Sequence, residues 1–239
     1  VDPLPLYATD ARPAPADRPW VLVNMVCSVD GATAVDGVSG TLGGKADRTA
    51  FTAIRAVADV ILVAAGTARA EGYGPPNTPS GVQQQRTARG QAPKPRIALV
   101  TRRVHLDFGS ALFGDPASRC IVVVPADAPA ARVVAAEAVA DVLPAGRGDV
   151  DLPSALQAMH GLGVRTVLCE GGPSLLGQLA SDDLIDEVCL TVSPHLVGGD
   201  SARIAHGDAL PGGVAPLRLA RILEEEDVLL FRYLRDRAV

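Results

Sequence analysis

Along most of this chain, short blocks of β-branched and apolar residues alternate with segments whose apolar positions recur every three to four residues. The blocks predict strands at residues 20–28, 32–35, 58–65, 96–100, 120–124, 141–143 and 164–169. Between them, Phe51, Ile54 and Val57 or Ala58 mark one face of a helix that Asp47 can cap. Further helices are predicted over residues 128–139 and 151–162, and from Pro173 onward, where Leu175, Leu176 and Leu179 share a face. Three more strands are predicted at 185–192, 218–224 and 228–234. Alternation through the middle implies a mainly parallel sheet flanked by helices. The last two strands, with no helix between them, imply an antiparallel C-terminal edge, so the fold class is α/β. Residues 1–19 carry five prolines and read as an extended arm ahead of a single domain of residues 20–239. Residues 72–95, rich in Pro, Gln and Gly, read as a loop.

The most informative stretch is Cys169-Glu170-Gly171-Gly172-Pro173-Ser174-Leu175. Two glycines sit where a strand turns directly into a helix, and Pro173 suits the first helical position. Backbone can approach a ligand closely there, with free N–H groups and the positive end of the helix dipole aimed at it. Such a turn suits a phosphate or diphosphate, although a tight turn that needs Gly for its backbone angles has the same sequence. Glu170, between an apolar strand and this turn, is poorly placed for full solvation, and an unpartnered buried carboxylate is costly. It either meets a ligand or holds the turn.

Composition narrows the field. At 239 residues, 48% apolar and 21% charged, the chain is that of a soluble globular protein able to bury roughly 70% of its unfolded surface. A net charge of −5 and 3% aromatics argue against a nucleic-acid partner. The longest strongly apolar run falls far short of the roughly 20 residues of a membrane span. Val1-Asp2-Pro3 opens no charged-then-apolar leader, so no secretory signal is expected. Cys27, Cys120, Cys169 and Cys189 are widely spaced among apolar neighbours and read as free buried thiols of a reducing, cytoplasmic compartment. No zinc or other metal site is expected. The G-x-G-x-x-G, P-loop, G-x-S-x-G and zinc-deaminase signatures are absent.

Three further segments complete a pattern: Val23-Asn24-Met25-Val26-Cys27-Ser28-Val29-Asp30-Gly31, the strand that runs into Gly66-Thr67, and Val192-Ser193-Pro194-His195-Leu196-Val197-Gly198-Gly199. With the Gly171-Gly172 turn, and in this order, they resemble the reductase (C-terminal) domain of the riboflavin-pathway deaminase/reductase and its stand-alone relatives, over about residues 19–235. The resemblance implies a dihydrofolate reductase-like fold and an NADPH-dependent reduction of 5-amino-6-(5-phosphoribosylamino)uracil. Hydride would pass to C1′ of the ring-opened imine, giving the ribitylamine. It implies that Glu170 and Asp30 serve catalysis, and that Asn24, Ser39, Arg55 and Glu170 meet the substrate. Val26, Thr41, Thr67, Glu71, Arg102, Gly171, Gly172, Pro173, Ser174 and Leu175 would hold the cofactor, with Arg102 or Arg103 at its 2′-phosphate. Thr67 could equally be a helix N-cap, Glu71 a solvated residue and Asp30-Gly31 a plain turn. Family members are typically homodimers, and the apolar strand at 228–231 would be an aggregation-prone edge if exposed.

Two departures bear on the substrate. The family's Asp-Asp-Pro-x-Leu-x-x-Arg run, whose Arg helps hold the ribose phosphate, is replaced by Glu71-Gly72-Tyr73-Gly74-Pro75-Pro76, with no Arg until Arg86. Asn24 stands where bifunctional members commonly carry Lys. Reduction of dihydrofolate or another pterin on the same fold is therefore the alternative, and a nucleotide-binding module without catalysis is a third reading.

Overall fold

The computed structural model describes residues 3–237. Strands β1 (Trp20–Ser28), β2 (Val60–Ala64), β3 (Arg96–Val100), β4 (Ile121–Val124), β5 (Asp141–Pro144), β6 (Thr166–Cys169), β7 (Glu187–Ser193), β8 (Leu217–Glu225) and β9 (Val228–Arg235) form one sheet, in the order β5-β4-β3-β2-β6-β1-β7-β9-β8. The pairs from β5 through β7 are parallel; β7–β9 and β9–β8 are antiparallel. This is the mostly parallel α/β sheet with an antiparallel edge that the hydrophobic pattern implied.

Helices α1 (Leu4–Thr9), α2 (Lys45–Arg55), α3 (Ala65–Ala70), α4 (Ser80–Ala88), α5 (Ala130–Glu137), α6 (Leu152–Gly161) and α7 (Pro173–Ser181) flank the sheet. Strand alternation splits the core in two. Val21, Val23, Leu62 and Val167 face the apolar stripes of α6 and α7. Leu22, Ile61 and Leu168 face Tyr7 of α1, Ala53 and Ile54 of α2 and Ala68 of α3.

Several sequence expectations are corrected. Residues 4–9 form a helix rather than part of an extended arm. Tyr7 is fully buried, and the following segment is tied to β7 and its N-terminal flank by paired Arg12–Glu187 and Arg18–Asp186 bonds of 2.6–3.0 Å. The 72–95 loop contains α4, whose buried face is only Val82 and Arg86. The strand expected at 32–35 reduces to a single bridge between Val35 and Val38. Gly44, not Asp47, precedes α2, which places Asp47 inside the first turn. Finally, β9 lies inside the sheet and β8 forms its edge, so the exposed apolar side chains at that edge are Leu217, Leu219 and Ile222. The four cysteines are free and buried, as expected.

Candidate active site

A cavity of about 590 Å³ opens over the carboxyl ends of β1, β2 and β6, where open α/β sheets place their ligands. Each strand delivers a different piece. The chain leaving β2 enters α3, carrying Thr67, and ends at Glu71. From β6 the chain passes Glu170 and turns through Gly171 and Gly172 into α7, while β1 contributes Asn24, Met25 and Val26. The roof is the stripe Asp47, Phe51 and Arg55, spaced i, i+4, i+8 on one face of α2.

At the α7 turn, Gly171 has φ +90°, a conformation that disfavours any side chain, and its carbonyl accepts from the Ala64 N–H at 2.8 Å. The Gly171–Gly172 peptide is cis. Gly172 precedes the first turn of α7, and a Cβ there would run into the Thr67 hydroxyl. Backbone and hydroxyl thus close on each other around a helix N-terminus whose first N–H groups have no intrahelical partner. The turn fits a diphosphate by shape and by polarity. Thr67 itself lies within α3, where Ala64 holds the capping position, so it is not the N-cap.

Beside this cradle, centred on the residue just before Gly171, stands a closed ion-pair cluster. Glu170 is 7% exposed and takes two hydrogen bonds from Arg55, at 2.7 and 2.6 Å, and one from the Tyr73 hydroxyl at 2.6 Å. The Arg55 guanidinium lies 4.2 Å from the centre of the Phe51 ring, a cation–π contact. Burial and the Glu170 charge beside it raise the Tyr73 phenol well above the ordinary range, so Tyr73 is a neutral donor. Glu71 accepts from the Ser39 N–H at 2.9 Å, joining the loop above the cavity to the end of α3. Asp47 accepts from the Thr191 hydroxyl at 2.6 Å, and burial pushes its carboxyl above the usual carboxylate range.

Of the residues singled out from sequence, the cavity wall brings together Asn24, Val26, Ser39, Arg55, Thr67, Glu71, Glu170, Gly172 and Pro173. Gly171 is buried within the turn and outside the cavity wall, Ser174 is exposed, and the Leu175 side chain belongs to the core, which leaves its backbone N–H as the group available to a ligand. Thr41 is exposed outside the wall, and Arg102 is exposed beyond β3, 3.5 Å from Asp149. Asp30 is also outside. Its carboxylate accepts from Ser28 and from the Val197 and Gly198 N–H groups, which lower it to about 2, and so staples two loops. Asp47, Phe51, Tyr73 and Thr191 were missed. For the first two, the signal was the i, i+4, i+8 spacing with Arg55. For Tyr73 it was the replacement run after Glu71. Thr191 sits in an apolar strand and gave none.

The sheet order, the cleft at its carboxyl ends and the helix-terminus cradle define the dihydrofolate reductase-like α/β class. Within that class, the profile of the RibD C-terminal domain matches residues 19–228, and the chain belongs to this family. It is similar to two archaeal proteins named 2,5-diamino-6-ribosylamino-4(3H)-pyrimidinone 5′-phosphate reductase. The one from Archaeoglobus fulgidus is 29% identical over 80% of this chain and 88% of the relative. The one from Methanothermobacter thermautotrophicus is 29% identical over 84% and 90%. Among solved structures, a pyrimidine reductase-like protein of Corynebacterium diphtheriae superposes with a TM-score of 0.84 at 26% identity, covering 92% of this chain and 93% of that one.

Proposed function

We propose that this protein is a nicotinamide-dependent oxidoreductase of riboflavin biosynthesis that reduces a 6-ribosylaminopyrimidine 5′-phosphate to its ribitylamino form. One observation carries the reading: a single cleft is lined both by the Gly172–Pro173 helix terminus, suited to a diphosphate, and by a polar pocket built on Glu170, Arg55 and Tyr73. A nicotinamide cofactor held by the Gly171–Gly172 turn and the first backbone N–H groups of α7 would supply the hydride. The chain's own residues position and shield. The Gly171–Gly172 turn and the backbone of Ser174 and Leu175 hold the diphosphate, and Thr67 closes over it. Phe51, Met25 and Val26 present apolar surface near the reacting centre. Glu170, by fixing Arg55 and Tyr73, sets the shape of the ring pocket. The uracil substrate implied by the resemblance differs at ring position 2 from the diamino-pyrimidinone in the relatives' names; the carbon reduced is the same.

A second reading, reduction of a pterin, is favoured by one feature. Among the described wall residues the one cation is Arg55, already committed to Glu170, whereas a ribose phosphate wants a cation of its own. Arg86 cannot supply it: it is fully buried, bonded to carbonyls at the end of α2. Nicotinamide oxidation assayed with the diamino-pyrimidinone, the uracil and dihydrofolate decides. Dihydrofolate turned over with neither phosphate substrate active would replace the first reading by the second.

NADPH is the proposed cofactor, with Arg102 and Arg103 on the exposed turn after β3 meeting its 2′-phosphate; a planar guanidinium suits that dianion. In the same assay NADPH is expected to outperform NADH, and replacing both arginines by Ala to erase most of the difference. A double variant that keeps the full preference would refute the assignment. The four buried thiols favour a reducing, cytoplasmic setting. We also infer a homodimer, because the edge strand β8 exposes Leu217, Leu219 and Ile222. Light scattering at micromolar concentration should return twice the 24.6 kDa chain mass; the monomer mass would overturn this.

A further inference from the structure

Arg55 is the last residue of α2, where helix carbonyls run out of intrahelical partners and the chain is least restrained. Its guanidinium nevertheless holds two bonds to Glu170. Donors from α4 and the turn after it supply the restraint. Arg86 donates through Nη1 to the carbonyls of Ala56 at 3.0 Å and Ala58 at 2.6 Å, and the same nitrogen lies 3.5 Å from the Arg55 carbonyl. Its Nε donates to the Ala92 carbonyl at 2.9 Å. Arg89 also reaches the Ala56 carbonyl, and Gln91 the Val57 carbonyl.

A guanidinium is a costly group for this task. Arg86 is fully buried, is bonded only to carbonyls, and its Nη2 has no partner among the described residues. Burial pulls it down to about 10, so it is still charged at neutral pH. A glycine in the left-handed conformation closes a helix end without that cost. What the guanidinium adds is rigidity: a planar fork set against successive carbonyls fixes the direction in which the chain leaves α2. The segment that carries it also meets the other half of the ion pair. Tyr73, near the start of residues 72–95, bonds the Glu170 carboxylate at 2.6 Å. One stretch of chain therefore grips the Arg55–Glu170 pair twice, at the carboxylate through Tyr73 and at the backbone of Arg55 through Arg86.

We propose that Arg86 is a positioning residue for the reaction: by holding the chain at the end of α2, it keeps the Arg55 guanidinium in its two-bond pairing with Glu170 at the cavity wall. The inference rests on the proposed reductase function and adds to it a residue that lies outside the cavity wall. A guanidinium root that drifts by a fraction of an ångström cannot keep both bonds to a carboxylate in line, because the pairing is a fixed fork. The polar side of the substrate pocket then loses its shape, while the cofactor cradle, built on α3 and α7, is not touched.

A double-mutant cycle on the full chain tests this. Nicotinamide oxidation is followed with the preferred of the three substrates named above, well below the Tm of every variant, and calorimetry gives NADPH affinity. Arg86→Met should lower kcat/KM by about tenfold, with NADPH affinity within about twofold. In an Arg55→Met background, where no guanidinium is left to place, the same substitution should lower kcat/KM by less than about twofold. Arg86→Lys, which keeps the charge and a donor but not the fork, should fall between Arg86→Met and wild type. A merely structural Arg86 gives another pattern: Tm falls, while kcat/KM of the folded protein is unchanged or drops equally in both backgrounds. Either of those results overturns the proposal. Should Arg86→Met not fold, Arg86→Lys replaces it in the cycle: a loss that the Arg55→Met background removes supports the proposal, and no loss or an equal loss refutes it. A wild type that turns over none of the three substrates overturns the reductase reading and this one with it.

Discussion

Glu170→Gln is expected to lower kcat/KM by on the order of tenfold to a thousandfold while NADPH affinity stays within about threefold. The variant keeps the shape of the side chain but removes the charge that Arg55 and Tyr73 converge on. Arg55 would remain packed against Phe51 with no counter-charge, a largely buried cation without its partner. Removing one partner of such a pair outright costs roughly 3–5 kcal/mol. With the amide still able to accept, about 2–3 kcal/mol is expected, a fall in Tm of roughly 4–12 °C for a chain of this size. A purely structural role can be separated from one in the reaction. The double variant Glu170→Gln/Arg55→Met removes the orphaned charge and should regain most of the stability, since apolar replacements of buried pairs are often neutral. Turnover should stay low, because the ring pocket has lost its polar wall. If turnover returned together with stability, Glu170 would serve the fold only.

This cluster also shows how far the sequence could be read. Glu170 stood out because a carboxylate between an apolar strand and a Gly-Gly turn has nowhere to be solvated. Arg55 stood out only through the family resemblance, because a charged residue on a helix face gives no signal of its own. That the two bind each other depends on β6 lying between β2 and β1, with α2 passing over it, and no local pattern encodes that order. Central strands were legible because residues buried on both faces form near-continuous apolar runs, as in Val60 to Ala64. Helix α4 was not, because its buried face is one valine and one arginine. Arg86 is held by the carbonyls of Ala56 and Ala58, a partner set that exists only after folding. Helix α1 was hidden for a related reason: proline at its start reads as an extended arm, while its anchors, Tyr7 and Leu4 three residues earlier, are one apolar pair in a helix too short to set a period. Asp47 was read as a cap because acids favour helix starts. Its place within the first turn, lining the cavity, follows from Gly44 taking the cap. Asp30 was assigned to catalysis by motif, yet the loop at Val197 and Gly198 folds back onto its carboxylate.

Gly172→Val is expected to weaken NADPH binding at least tenfold, about 1.4 kcal/mol, with the protein still folded. Two physical effects act at this position, and they can be told apart. One is internal: a Cβ on Gly172 meets the Thr67 hydroxyl, so the Thr67 side chain or the α7 turn must shift. The other is external: the same Cβ occupies the space through which a diphosphate would reach the first free N–H groups of α7. In a Thr67→Ala background the internal clash with the hydroxyl is gone. Adding Gly172→Ala to that background should then leave thermal stability near that of Thr67→Ala alone, but still lower cofactor affinity several-fold, because the approach to the helix terminus stays blocked. Titration of NADPH against the four proteins, each with its Tm, gives the result. If affinity in the double variant equalled that of Thr67→Ala, the glycine would be needed only to clear Thr67, and the turn would not be where the diphosphate binds. If Gly172→Val bound NADPH as well as wild type, the helix-terminus cradle would be wrong altogether. The expected pattern, in which stability follows the hydroxyl and affinity follows the glycine, requires a ligand lying directly on the turn. An anion there gains from the positive end of α7, so raising the salt concentration should weaken NADPH binding to wild type more than to Gly172→Val.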